Sequence, residues 1–336
     1  MVSMYRLSLI LCFFLTATSC ERLLLPEEPD DDPVTNFESM WHTVDKKYSF
    51  FDYKNINWDS IYAVYRPRVQ QDMTSRELYD VLSDMLYVLR DGHVNLITPF
   101  DFSRNWNWYL NAPQNFNFTI IERNYLSDRY EISGPLINDF IADSIGYIYY
   151  SSFGRSIGAS QLDYVLRKFA DTKGILFDVR DNGGGSLSNV TLLLSRFADQ
   201  RRLAVYNIYK TGPGHSDFSA PFPVYIEPEV DEPFTKPVII LTNRSSYSAT
   251  NDFVAQMKAL PNVTVLGDTT GGGGGLPYYA ELPNGWRYRF SSTQTWLPDS
   301  FNIENGIPPD VRVDLLPLDE FRGDDTLIEE AIDLLP

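Results

Sequence analysis

Twice in the early part of the chain, apolar residues recur with the period of a helix. Phe37, Met40, Trp41 and Val44 stand at i, i+3, i+4 and i+7, and Leu78, Val81, Leu82, Met85, Leu86 and Leu89 repeat the stripe. Polar residues fill the intervening positions, so the spacing predicts an N-terminal helical subdomain over residues 36–98. Thr74 and Glu77 are placed as a capping box ahead of the second stripe, and Gly92, in Arg90-Asp91-Gly92, is expected to end it. Residues 99–143 mix aromatic and polar positions among prolines, asparagines and glycines. With no period long enough to name an element, they read as a small β-rich connector.

From Ile145 the pattern changes. Short apolar runs at Ile145–Phe153, Ile175–Val179, Val238–Leu241 and Val263–Leu266 alternate with helical segments near Ser160–Ala170, after Gly185 and after Ser248. Strands alternating with helices predict an α/β core with a largely parallel sheet over residues 144–336. Residues 278–314 read as β-hairpins, and Ile328, Ala331, Ile332 and Leu335 mark a closing helix.

Composition fits a folded body. Of 336 residues, 43% are hydrophobic and 22% charged, close to the globular average, which argues against wholesale disorder or a disulfide scaffold. The length suffices for about two domains. Charge changes the picture more: 28 Lys and Arg face 45 Asp and Glu, a net −17, and so acidic a surface repels nucleic acid.

Residues 1–19 read as an address. Met1 to Arg6 supplies a positive end, Leu7 to Leu15 is an apolar run too short to span a bilayer, and Ala17-Thr18-Ser19 places small residues before Cys20. Cys12, the other cysteine, would leave with this segment, so no internal disulfide is expected. The segment resembles a bacterial lipoprotein signal, in which Cys20 carries the lipid, although the leucine usual three positions earlier is missing. A secretory peptide cut nearby is the alternative. The expectation is a membrane contact through a lipid on Cys20 and an acidic, proline-broken tether over 20–35. The body would then sit at a membrane of the bacterial cell envelope, the outer one first, in the periplasm or at the surface.

Candidate chemistry gathers where predicted strands end. Ile175 to Gly185 runs a buried strand into Gly183, Gly184 and Gly185, whose backbone N–H groups suit an oxyanion or a phosphate, although a tight turn explains glycines equally well. Neither phosphate-loop nor G-x-S-x-G patterns occur. Val238 to Phe253 runs through Ser245-Ser246-Tyr247-Ser248 into a helix. Ser248 there is either an N-cap or a nucleophile favoured by the helix amino end. Of three histidines, His42 and His215 read as packing or solvent residues, whereas His93 follows a helix stop and can project into a cleft.

The ordered set Asp91-Gly92-His93, Asp178 to Gly185, Ser246 to Phe253, Gly267 to Gly272 and Glu304 to Asp310 resembles the tail-specific (C-terminal processing) serine peptidases. The resemblance implies a crotonase-like (ClpP/crotonase) α/β superhelical core acting on peptide or protein substrates. It places Ser248 on the nucleophile and Gly184 with Ala249 on the oxyanion donors. Many members use a serine–lysine dyad, but the matching position is Gly273. The branch resembling tricorn protease fits instead, implying His93 as the base and Glu304 as its support, with Gly92 where that branch has a serine. Residues 99–143 are too few for the family's PDZ domain. No cofactor and no metal are expected, and the oligomeric state stays open. A non-catalytic peptide- or glycan-binding lipoprotein is the alternative, and an esterase a third reading.

Overall fold

The computed structural model describes residues 30–142 and 144–335; the expected signal segment 1–19, Cys20 and the first part of the expected tether lie outside the described residues. The first helix, α1 (Pro33–Lys47), starts inside the expected tether, because Asp32 caps it and Pro33 fills the first turn, where a missing N–H costs nothing. Helices α2 (Trp58–Tyr65) and α3 (Ser75–Tyr87) follow, and α3 carries the expected capping box between Thr74 and Glu77. Its stop differs from the expectation. Arg90, with φ of +46°, turns the chain, and Gly92 has another role described below.

The helical unit does not close its core alone. Phe37, Met40, Val44, Leu82 and Leu86 pack with Leu282, Trp286, Tyr288 and Phe290 from the far end of the chain. Those residues belong to the hairpin of β10 (Pro277–Glu281) and β11 (Arg287–Ser291), which extends β1 (Asn95–Ile97) into a small antiparallel sheet ordered β1-β11-β10. Residues 99–143 form α4 (Asn107–Leu110), α5 (Phe118–Asn124), β2 (Glu131–Ser133) and β3 (Leu136–Ile141). Rather than a separate connector, their two strands continue the main sheet, antiparallel to its parallel centre.

That main sheet, among the described residues, is ordered β13-β9-β8-β5-β4-β3-β2. Its parallel part comprises β4 (Ile145–Tyr150), β5 (Gly174–Asp178), β8 (Val238–Thr242), β9 (Val263–Gly267) and the short β13 (Val311–Arg312). Strand side chains alternate between two helix layers. Ile148, Phe177 and Ile240 face α6 (Ala159–Lys168), α7 (Leu187–Phe197) and α8 (Ala249–Met257). Tyr147, Leu176 and Leu241 face α5 and the closing helix α10 (Thr326–Leu334), which follows the short α9 (Pro317–Arg322). The parallel α/β expectation therefore holds.

The periodicity gave no sign of the hairpin of β6 (Arg202–Tyr209) and β7 (Phe222–Ile226), which pairs with β12 (Thr293–Trp296) in a third sheet. Nor did it show what Arg180 does. Fully buried at the end of β5, this guanidinium binds Asp178 at 2.6 Å and Asp325, the cap of α10, at 2.9 Å. A buried charge flanked by two carboxylates and the Asn115 carbonyl has its donors met. It ties the loop after β5 to the C-terminal helix.

Candidate active site

Gly183–Gly185 follow the end of β5 and Ser248 that of β8, adjacent parallel strands whose carboxyl ends open on one crevice. Between β8 and α8 the chain makes a tight turn. The Ser246 hydroxyl donates to Val179 O at 2.8 Å, the Tyr247 amide to Asn182 O at 3.0 Å, and the Ser248 amide to Gly272 O at 2.8 Å. So held, Ser248 takes φ +59° and ψ −120°, a conformation that costs a non-glycine residue of order 1–3 kcal/mol. It occupies the N-cap position but makes no capping hydrogen bond. Its Oγ lies instead 2.9 Å from His93 Nε2.

His93 reaches that position because the loop after α3 closes onto Tyr247. A Cβ at Gly92 would lie 2.6 Å from Tyr247 Oη, so a side chain there would push the loop away. Asp91 Oδ1 accepts from the His93 amide at 2.8 Å, and the imidazole packs edge-on against the Tyr247 ring. Burial dominates its electrostatics. Loss of water lowers the His93 pKa to about 4 against the opposing charge of Asp91. The Gly275 carbonyl also favours the charged ring, although Nδ1 makes no hydrogen bond of good geometry among the described residues.

Glu304 does not supply that bond. Its Oε1 lies 2.6 Å from Lys54 Nζ and its Oε2 accepts from the Gly274 amide at 2.9 Å. Lys54 donates in turn to the Arg90 carbonyl at 2.8 Å. Glu304 therefore reaches the His93 loop through Lys54, on a part of the chain where the sequence pattern pointed to no chemistry. Burial raises the Glu304 carboxyl to about 8, against the pull of the Lys54 ammonium and the Gly274 N–H.

Gly184 lies beside Ser248, but its amide is engaged. A Cβ on it would fall 2.8 Å from Ser248 Cβ and 2.9 Å from Ala249 N. Its N–H, however, donates to Asn182 Oδ1 at 3.0 Å. The Ala249 and Gly185 amides have no acceptor among the described residues. At Gly273, the place of a dyad lysine, a Cβ would sit 2.5 Å from Tyr247 Cζ, which leaves no room for a side chain. Lys258 is turned away to pair with Asp310. Gly92, His93, Gly184, Gly185, Ser248 and Ala249 all border one cavity of about 900 Å³. Among the described residues no cluster of three or more metal-binding side chains occurs.

Comparison with known proteins bears on the fold that carries these residues. Residues 144–313 match peptidase family S41, and residues 29–87 match the tricorn protease C1 domain. A solved structure of a candidate peptidase from Parabacteroides merdae ATCC 43184 is 47% identical, covers 91% of this chain and 97% of its own, and superposes with a TM-score of 0.87. The carboxy-terminal processing protease CtpA of Bacillus subtilis (strain 168) is 26% identical over 176 residues, 52% of this chain and 36% of that protein. Tricorn protease of Thermoplasma acidophilum is 28% identical over 195 residues, 57% of this chain and 17% of that protein. The chain thus spans about a third of CtpA and about a sixth of tricorn protease. With half its length matched by the family and its α/β fold shared over nearly the whole of a solved relative, the chain belongs to peptidase family S41.

Proposed function

We propose that this protein is a serine peptidase, of the carboxy-terminal processing kind, that cleaves exported proteins or peptides through an acyl-enzyme. The observation that carries this reading is the 2.9 Å contact between Ser248 Oγ and His93 Nε2, made by a serine whose backbone keeps it from capping its helix. A neutral imidazole is needed to accept the serine proton. Because burial holds the His93 pKa near 4, the ring is a free base through neutral pH. Ser248 Oγ attacks the scissile carbonyl as its proton passes to Nε2, and His93 then delivers that proton to the leaving amine. Water repeats the cycle in reverse to release the acid. The developing oxyanion takes the Ala249 N–H and one N–H of the glycine run. Gly185 offers that donor directly, whereas Gly184 must first leave Asn182.

Lys54 and Glu304 act at one remove. By clamping the Arg90 carbonyl and the Gly274 amide, they fix the two loops that flank the imidazole. For location, the reading is a lipid on Cys20 that holds the body at a membrane of the cell envelope. Among the described residues no helix is long and apolar enough to cross a membrane.

Steady-state hydrolysis of a peptide substrate tests the core of the mechanism. Ser248→Ala and His93→Ala should each lower turnover by about 10⁶-fold, and the double variant by little more, since such residues act as a unit. Either single variant retaining a tenth of wild-type turnover removes its residue from the chemistry.

Lys54→Met strands a buried carboxyl. Urea denaturation should show a loss of stability that widens as pH rises past about 8: wild-type stability stops falling once Glu304 ionises there beside Lys54, whereas the variant's carboxyl, without that ammonium, is raised further and its stability goes on falling. Lys54→Met with Glu304→Leu should recover most of it. Equal stability of all three proteins would show the pair to be inert.

Cys20→Ser should move the protein from salt-washed membranes to the soluble fraction. Retention in the membrane pellet excludes the lipid anchor.

A further inference from the structure

The cavity beside Ser248 contains a charge that the mechanism does not use. Asp252 lies one turn along α8 from the serine, and its amide donates to Ser248 O at 2.9 Å. Residues four apart share a helix face with Cβ atoms about 5–6 Å apart. The Asp252 side chain therefore borders the same cavity just beyond the nucleophile. Its Oδ2 accepts from Gln256 Nε2 at 2.7 Å, and no cation pairs with it among the described residues. The neighbouring wall is aliphatic: Leu194, Val205, Val224, Ile226 and Ile303 border the same space. Most of it is supplied by the β6–β7 hairpin.

We propose that Asp252 makes the pocket for the residue on the acyl side of the scissile bond selective for lysine or arginine. The inference rests on Ser248 being the nucleophile. With the acyl carbonyl on Ser248 Oγ and the Ala249 N–H, the acyl residue's side chain lies over the next turn of α8, where Asp252 sits. His93 and the leaving amine occupy the other side. A basic side chain has both parts this pocket asks for: a hydrocarbon stem against the aliphatic wall and a terminal charge for the carboxylate. Without a cation the carboxylate is poorly solvated, and its pKa rises to about 6 for that reason alone. A purely apolar guest would bury that carboxylate unpaired. Asp181, Glu227 and Glu229 border the same cavity and add negative potential. Glu227 and Glu229 are already paired with Arg201 and Arg196, and Arg289, the cavity's own cation, is held by Asn95 Oδ1 at 2.7 Å.

The test is a set of peptides differing only at the acyl-side residue, bearing lysine, arginine, norleucine, leucine or glutamate. Active sites are counted by fluorophosphonate labelling, so that each kcat/KM refers to functional serine. Wild type should favour lysine and arginine over norleucine by roughly 10²-fold or more. Asp252→Asn should bring that ratio to about one, chiefly by slowing the basic substrates, and Asp252→Ser should do the same if the asparagine variant folds poorly. Asp252→Lys should turn the preference toward glutamate. A wild type that labels fully yet cleaves norleucine as well as lysine overturns the proposal and leaves the serine mechanism standing. A wild type that takes no label overturns the serine mechanism and the proposal with it.

Discussion

Everything at this site depends on Tyr247 and Ser248 being gripped from several sides at once. The Tyr247 ring is stacked on Tyr109 at 4.8 Å between centroids, stands edge-on to His93 at 5.1 Å, and lies under Gly92 and Gly273. The backbone of the same turn is held by Asn182 after β5 and by Gly272 after β9. Held in this way, Ser248 keeps a positive φ that an unconstrained serine would relax. That strain directs the hydroxyl toward the imidazole instead of toward the helix it precedes. Sequence-distant segments thus converge on one turn, and the closeness of their backbones sets the geometry of the serine–histidine contact.

Water exclusion follows from that convergence. His93 is almost entirely buried, so its basicity is set by desolvation more than by any partner. In a hydrogen-bonded triad a carboxylate compensates for such burial by bonding Nδ1. Here Asp91 acts on the ring by charge while bonding its own loop's backbone, and Glu304 is spent on Lys54. The ring is therefore oriented by packing against Tyr247 and by its loop. A base held neutral by burial accepts a proton only if the resulting imidazolium is stabilised. Asp91 and the Gly275 carbonyl favour that charged form.

Local chemistry was legible in the sequence, and contacts between distant segments were not. The stripe from Leu78 to Leu86, the Thr74–Glu77 capping box and the apolar strands around the glycines each depend on neighbours within a few residues. Asp91-Gly92-His93 and the serine run were visible for the same reason, and the structure brings their histidine and serine together. Lys54 stands 250 residues from its partner Glu304, and Arg180 stands 145 from Asp325, so no periodicity could pair them. Gly92 read as a helix stop because its real constraint, the Tyr247 hydroxyl, is a tertiary contact. The same limit hid the β6–β7 hairpin, whose strands are only partly buried and lack a clean alternation.

The central claim is that a neutral, dehydrated imidazole rests on the Ser248 hydroxyl. Nitrogen-15 NMR of histidine-labelled protein observes this directly, with His93→Ala identifying the resonances. The account predicts that the His93 ring stays neutral down to about pH 4 and that removing the Ser248 hydroxyl shifts its Nε2 signal. A ring that protonates near 6.5, the ordinary value, with an Nε2 signal indifferent to Ser248, would contradict it.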